Sequence, residues 1–271
     1  MPPLAVFTVV QNESLFLPAF LRHYTRHVPA EDIFILDHQT TGDAADVLVD
    51  SCQSHGVRNV TAVYHELSFD SDWLMRLTRW YQNFLLASYD AVVFACADEL
   101  LAPREGTLQA FAARHAVETR SRDQPLHAPL AQGYEVVHNR DKEPTLDPQR
   151  PWFAQRRYCY PCRRYSKPLL SAYSLWWYPG WAAAANVPTV QQTTTELVLW
   201  HLHRVDYDYC LASHREKAAR RWKPEERNEG LFRHNLVEDP ELLSRWILCN
   251  SDKPDTYATL EEIPPEFKEL I

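Results

Sequence analysis

Residues 91–103, Ala-Val-Val-Phe-Ala-Cys-Ala-Asp-Glu-Leu-Leu-Ala-Pro, constrain the fold more than any other stretch of the chain. Seven apolar or small residues run into two acids, and a short apolar step then stops at Pro103. A run this short and this apolar reads as a strand buried on both faces. Asp98 and Glu99 then fall where that strand leaves its sheet. Open α/β sheets bind ligands at the carboxyl ends of their strands. A carboxylate pair there suits a hard divalent cation carrying a phosphate-bearing substrate. The bland alternative is a strand followed by a solvated acidic turn.

The residues before this stretch repeat one pattern. Leu4 to Val10 is a β-branched, apolar run that ends at Gln11-Asn12-Glu13-Ser14, a first strand with a polar end. Leu15, Phe16, Ala19, Phe20 and His23 recur at helical spacing, and Pro29 stops that helix. Ile33 to Leu36 gives a second strand ending at Asp37, and a helix over 44–55 follows, closed by Gly56. A third strand spans 57–64. Trp73, Leu74, Leu77, Trp80, Tyr81, Phe84 and Leu85 then mark a helix over 71–89. Strands alternating with helices imply a parallel sheet with helices on its faces. Glu13, Asp37, Glu66 and Asp98 end the successive strands, which places acids along one expected edge.

Beyond Pro103 the pattern predicts a helix over 106–117, then loops over 121–151 with one strand near 133–138. Residues 152–181 interleave aromatics with Arg156, Arg157, Arg163, Arg164 and Lys167. Such a mixture suits sugar rings and phosphates, or a core packed with rings. Within it, Lys167 and Trp177 are candidate substrate contacts. Glu196 to Asp206 reads as a strand, which puts His201 and His203 on the same face. Two imidazoles on one strand face can ligate a metal; two packed, hydrogen-bonded histidines are the alternative. A helix over 207–222 ends in Arg220, Arg221 and Lys223, where cations are favoured.

Composition narrows the functional classes. With 271 residues, 45% hydrophobic, the chain supports one large domain or two small ones. The expected division is a main domain over 1–222 and a C-terminal extension over 223–271 wrapping onto it. A net charge of −8 disfavours nucleic acid as a partner. No apolar run approaches the roughly 18–20 residues that span a bilayer, and Met1-Pro2-Pro3-Leu4 lacks the form of a secretory signal. A cytoplasmic protein is therefore expected. Six scattered cysteines agree with a reducing compartment. Cys159-Tyr160-Pro161-Cys162 has no second CxxC to complete a zinc site.

Taken together, Val9-Val10-Gln11-Asn12-Glu13, Leu36-Asp37-His38-Gln39-Thr40-Thr41-Gly42-Asp43 and Ala97-Asp98-Glu99 resemble the family-2-like glycosyltransferases of the GT-A fold. Ser166-Lys167-Pro168-Leu169-Leu170 and His201-Leu202-His203-Arg204-Val205-Asp206 are similar to segments of bacterial members, so the resemblance covers roughly 4–222. It implies an α/β fold with a GT-A-like, Rossmann-type, mostly parallel sheet flanked by helices, with a C-terminal helical tail. It further implies a nucleotide-sugar donor, a glycan or other hydroxyl acceptor, and a divalent cation, Mn²⁺ or Mg²⁺. By the same resemblance Asn12, Glu13 and Asp37 line the nucleotide pocket and Arg76 or Arg79 meets the diphosphate. Asp98 holds the metal, and His201 or His203 approaches it. Glu196 and Asp206 are the candidate general bases. Two departures stand out. Cys96 occupies the position of the first acid in the family's metal motif, and Ala182 stands where many relatives carry histidine.

The leading expectation is thus metal-assisted, inverting sugar transfer. A non-catalytic sugar-nucleotide or glycan-binding module on the same fold is one alternative, prompted by Cys96. A metal-dependent hydrolase built on His201 and His203 is another.

Overall fold

β1 (Ala5–Val10) is buried on both sides. Val6 and Val10 pack into one core cluster, and Ala5 and Phe7 pack into a second on the opposite face. Double burial of this kind requires helices on both faces of the sheet. The computed structural model describes residues 3–121, 127–187, 193–228, 236, 246 and 259–268. In it β1 pairs in parallel with β2 (Ile33–Asp37) and β4 (Val92–Phe94), and β2 pairs in parallel with β3 (Asn59–Ala62). β8 (Leu170–Ser171) closes the far edge antiparallel to β4, giving the order β3-β2-β1-β4-β8. The order reverses between β1 and β4, so their carboxyl ends frame a crevice of the kind that holds nucleotides in Rossmann-type sheets.

α1 (Phe16–Tyr24) and α2 (Asp43–Ser54) cover one face, where Phe20 and Leu48 join the first cluster. α3 (Ser71–Leu86) covers the other through Tyr81 and Leu85. It starts where Asp70 accepts a hydrogen bond from the Trp73 amide at 3.1 Å, a side-chain cap that occupies an otherwise orphaned donor.

After Phe94 the chain leaves this sheet. β5 (Glu99–Pro103), β6 (Leu130–Val137), β7 (Tyr158–Pro161), β9 (Thr193–Arg204) and β10 (Glu261–Glu262) build a second sheet in the order β10-β7-β6-β9-β5. Only β6 and β9 run parallel; the other pairs are antiparallel. α4 (Leu108–Arg120), α5 (Trp152–Gln155), α6 (Tyr207–Ala219) and α7 (Pro224–Asn228) complete the described α-helices.

The mostly parallel sheet flanked by helices is as the sequence pattern implies; the second, mixed sheet is not legible in that pattern. Residues 91–103 are two strands in two sheets, so Asp98 sits at a corner and not at the end of one continuous strand. α1 ends at Tyr24, before Pro29 is reached. α4 starts after Thr107, which caps it by accepting from the Ala110 amide at 3.1 Å. In the C-terminal segment, β10 pairs with β7 and the Phe267 ring lies 5.0 Å from that of Trp200. No described helix is long and apolar enough to cross a membrane.

Two buried imidazoles make the fold sensitive to acid. His23 is fully buried with Nε2 2.9 Å from the Leu101 carbonyl oxygen, and burial, with His27 beside it, pulls its pKa down to about 3. Burial likewise takes His115 down to about 4. Below pH 6.5 the unfolded chain takes up protons that these folded groups refuse, so stability falls as pH drops. His23 alone should remove on the order of 3 kcal/mol between pH 6.5 and 4. Denaturant midpoints measured across that range should decline steadily, and His23→Gln should shrink the decline.

Candidate functional site

The corner at 95–98 is fixed by its own backbone and by one buried ion pair. The Glu99 amide donates to the Cys96 carbonyl at 2.9 Å, and the Cys96 amide donates to Glu99 Oε2 at 3.0 Å. Glu99 Oε1 meets the Lys167 ammonium at 2.5 Å, with both side chains buried. Burial works against the Lys167 charge, but the Glu99 carboxylate wins and holds its pKa above the ordinary lysine value. The Asp98 carbonyl accepts from the Leu202 amide at 2.8 Å, which ties the corner to β9.

β9 lies between β5 and β6, and His201 pairs in register with Glu99 on one side and Glu135 on the other. Glu99 is taken by Lys167. Glu135 Oε2 is 2.8 Å from His201 Nδ1, while Glu135 Oε1 accepts from the Arg204 amide at 3.1 Å. Nδ1 is therefore the donor atom of His201, and Nε2 is the atom that faces Asp98 Oδ2, 3.6 Å away. The Tyr165 ring stacks on the His201 imidazole at 3.7 Å and fixes its plane. That contact depends on Gly133, where a Cβ would come within 2.3 Å of the Tyr165 carbonyl carbon.

His203 follows on the same face of β9. Its Nδ1 is 3.8 Å from Asp98 Oδ2, and its Nε2 points the other way, to His214 Nε2 at 3.0 Å. Burial alone would raise the Asp98 pKa, but His201 and then His203 overcome it and hold the carboxyl well below the usual range. Burial would lower His203, yet the Cys210 sulfur and then Asp98 push it up to about 10.

Asp98, Glu99, Lys167, His201 and His203 line a cavity of about 430 Å³. It is walled by the ends of β1 and β4, the Tyr165–Lys167 turn, α6 and residues 179–182. Glu13, Asp98 and Glu99 face it, as do Arg164, Lys167, Lys217 and Arg220. Glu13 has its pKa raised by burial, against the pull of Lys217. Arg220 reaches across from the end of α6 to β1, donating to Gln11 Oε1 at 3.1 Å and to the Gln11 carbonyl at 3.2 Å. Its Nε is buried with no hydrogen-bond partner among the described residues. Burial and Glu99 push the Cys96 thiol well above its ordinary pKa, so it stays protonated beside the two acids.

The structure brings together Glu13, Asp98, Lys167, His201 and His203. Asn12 adopts φ of +56° and works as a clamp. Its side chain donates to Glu216 at 2.7 Å and accepts from the Thr41 amide at 2.9 Å. Asp37 turns the following loop by accepting from the Thr40 amide at 2.9 Å. Neither Arg76 nor Arg79 lines the cavity; Arg79 lies over the Trp176 ring at 3.9 Å. Trp177 is buried against Phe94 and donates to the Pro168 carbonyl.

Glu196 and Asp206 stand outside the cavity. Glu196 is exposed, pairs with Arg114, and lies five residues before His201, about 16 Å along a strand. Asp206 is buried and fully engaged. It caps α6 through the Tyr209 amide at 3.0 Å, and its Oδ2 accepts from Arg156 at 3.0 Å and from the Leu146 amide at 2.8 Å. Lys217, Arg220, Arg164 and Trp181 are the lining residues that the sequence pattern missed. Two signals were present: the cationic end of the helix over 207–222, which reads equally as dipole compensation, and the aromatic and basic mixture over 152–181, which reads equally as packed core.

No protein-family model matches the chain, and no curated protein sequence matches it. Several solved structures are similar in part. One is the mannosyltransferase PcManGT from Pyrobaculum calidifontis in complex with GDP-Man and Mn²⁺, at 14% identity over 51% of this chain and 35% of that one, with a TM-score of 0.30. Another is glucosyl-3-phosphoglycerate synthase from Mycobacterium tuberculosis with Mg²⁺ and uridine diphosphate, at 18% identity, 49% and 43% coverage and a TM-score of 0.30. A third is a cytidylyltransferase from Leptospira borgpetersenii, at 8% identity, 51% and 54% coverage and a TM-score of 0.29. This chain spans between 35% and 54% of their lengths.

Removing Lys167 leaves Glu99 buried and unpaired. Lys167→Met should lower stability by about 3–5 kcal/mol, and adding Glu99→Gln should restore most of it, as read by chemical denaturation.

Proposed function

We propose that the chain is a metal-assisted glycosyltransferase that takes a nucleotide sugar as donor and a hydroxyl group as acceptor. The observation that supports this most is the pairing of Asp98 Oδ2 with His201 Nε2 at 3.6 Å on the wall of a cavity otherwise rich in cations. An oxygen and an imidazole nitrogen form a donor set for a divalent ion such as Mn²⁺ or Mg²⁺. The protonated Cys96 thiol takes no part, so Asp98 supplies the oxygen and His201 the nitrogen. A cation held there would supply positive charge beside a departing diphosphate.

The chain's residues supply the rest. Lys217, Arg220 and Arg164 face the same space and offer charge to phosphate oxygens. Arg220 is held by Gln11, so its guanidinium is fixed before any ligand arrives. Glu13 replaces Glu196 and Asp206 as the candidate base. It is the carboxylate in the cavity committed neither to Lys167 nor to the metal pair, and burial has raised its affinity for a proton. A group so tuned suits proton abstraction from an acceptor hydroxyl. One uncommitted carboxylate fits direct displacement at the sugar carbon with inversion. Trp181 and Phe69 supply apolar walls.

Thermal midpoints with a panel of nucleoside diphosphates, with and without Mn²⁺, test this reading. One nucleotide should stabilise the protein only when Mn²⁺ is present, by about 2.7 kcal/mol at a hundred times its dissociation constant. Asp98→Asn should erase the metal-dependent part, and Arg220→Met should reduce nucleotide stabilisation. Donor turnover should fall by roughly 10²–10³-fold in Glu13→Gln. No response to any nucleotide would refute the proposal.

A further inference from the structure

Three metal-ligating atoms meet on the side of His203 that faces away from Asp98. His203 Nε2 is 3.0 Å from His214 Nε2, Cys210 Sγ is 3.6 Å from His203 Nε2, and Cys210 Sγ is 3.7 Å from His214 Nε2. His203 comes from β9, and Cys210 and His214 come from one face of α6, four residues apart. Cys210 and His214 are buried.

We infer that His203 Nε2, Cys210 Sγ and His214 Nε2 form a zinc site that ties α6 to β9. Zinc bonds to imidazole nitrogen at about 2.0–2.1 Å and to thiolate sulfur at about 2.3 Å. Tetrahedral angles then put two nitrogens about 3.3 Å apart and a nitrogen and sulfur about 3.6 Å apart. The three separations in the structure match those values within a few tenths of an ångström. A thiolate with two imidazoles is a donor set for zinc and a poor one for Mn²⁺ or Mg²⁺, which prefer oxygen. The site is therefore chemically distinct from the Asp98–His201 pair, and it stands whether or not the chain binds a nucleotide.

Asp98 gives the arrangement its polarity. Its carboxylate lies on the Nδ1 side of His203, so Nδ1 keeps its proton and Nε2, turned to Cys210 and His214, is the nitrogen that would give one up to a metal. A carboxylate behind a ligating imidazole is the usual way to orient it and to raise its basicity. Zinc takes sulfur as thiolate and imidazole through an unprotonated nitrogen, so its uptake would release protons from the site. Three protein ligands leave a fourth position for water or another donor.

The consequence lies in α6. Lys217 and Arg220 follow His214 by three and six residues on the helix and its C-terminal cap, and both face the cavity. Pinning α6 at Cys210 and His214 fixes where those two cations stand. The zinc site is thus a positioning device for the cationic wall, with no zinc required at the reacting atoms.

The full chain, purified without chelator and dialysed, should retain about one equivalent of zinc by elemental analysis. Replacing zinc with Co²⁺ should give a near-ultraviolet thiolate-to-cobalt charge-transfer band and the intense visible bands of tetrahedral cobalt. Cys210→Ser should abolish the charge-transfer band. Both Cys210→Ser and His214→Gln should weaken zinc binding by more than the roughly 10–100-fold that loss of an orienting partner causes. Wild-type protein that is folded by circular dichroism yet takes up no zinc, or gives only weak octahedral cobalt bands, overturns the inference. So does a charge-transfer band that survives Cys210→Ser, since the sulfur would then belong to another cysteine. Should Cys210→Ser fail to fold, the wild-type zinc content and cobalt spectrum decide the question alone.

Discussion

The Glu99–Lys167 ion pair is the contact on which the site's architecture depends. It is buried at the corner where the chain passes from the parallel sheet to the mixed one, on the wall of the cavity. Two buried opposite charges hold each other because neither can be left alone in a medium of low polarisability. Glu99 uses its second oxygen to hold the Cys96 amide, so the pair also fixes the corner's backbone. Asp98, the next residue back, has its direction set by that turn and by the Leu202 amide. The same corner brings β5 against β9 in the register that places His201 beside Asp98. One ion pair thus joins the two sheets and aims the carboxylate between them.

Much of the first sheet is legible in the sequence because local chemistry there agrees with tertiary structure. Apolar runs such as Ile33-Phe34-Ile35-Leu36 have no reason to lie anywhere but in a doubly covered sheet. His201 and His203 are legible together because period-two alternation is a property of strands themselves. Residues 91–103 mislead for a physical reason. A run of small and apolar side chains carries no mark of the bend at 95–98, which is made by a partner 68 residues away in sequence. Asp206 misleads in the opposite sense. An acid at the end of an HxHR strand invites a catalytic role, but its oxygens are consumed by Arg156, the Leu146 amide and the cap of α6. Arg76 and Arg79 point to the diphosphate by sequence position only, whereas Lys217 and Arg220 reach the cavity because α6 packs where no local pattern says it must.

Asp98 and His203 divide the region into two environments of different softness. On one side stand oxygen donors, one imidazole and several cations around the cavity. On the other stand a thiol and two imidazoles packed out of solvent, where the sulfur favours a softer metal. His203 touches both through its two ring nitrogens. Cys96 lies in the first environment, beside Asp98 and Glu99. Held protonated by burial, it adds neither charge nor a ligand, and Asp98 is kept anionic by the imidazoles instead.

The proposed function turns on one contact, a divalent ion held by Asp98 and His201 that also touches a diphosphate. Pulsed electron paramagnetic resonance of the protein with Mn²⁺, with uridine diphosphate and guanosine diphosphate added in turn, observes this directly. One complex should show hyperfine coupling to an imidazole ¹⁴N and to ³¹P in the same ion, with the ¹⁴N coupling lost in His201→Gln. A manganese ion that couples only to solvent protons, with either nucleotide and in folded protein, would contradict it.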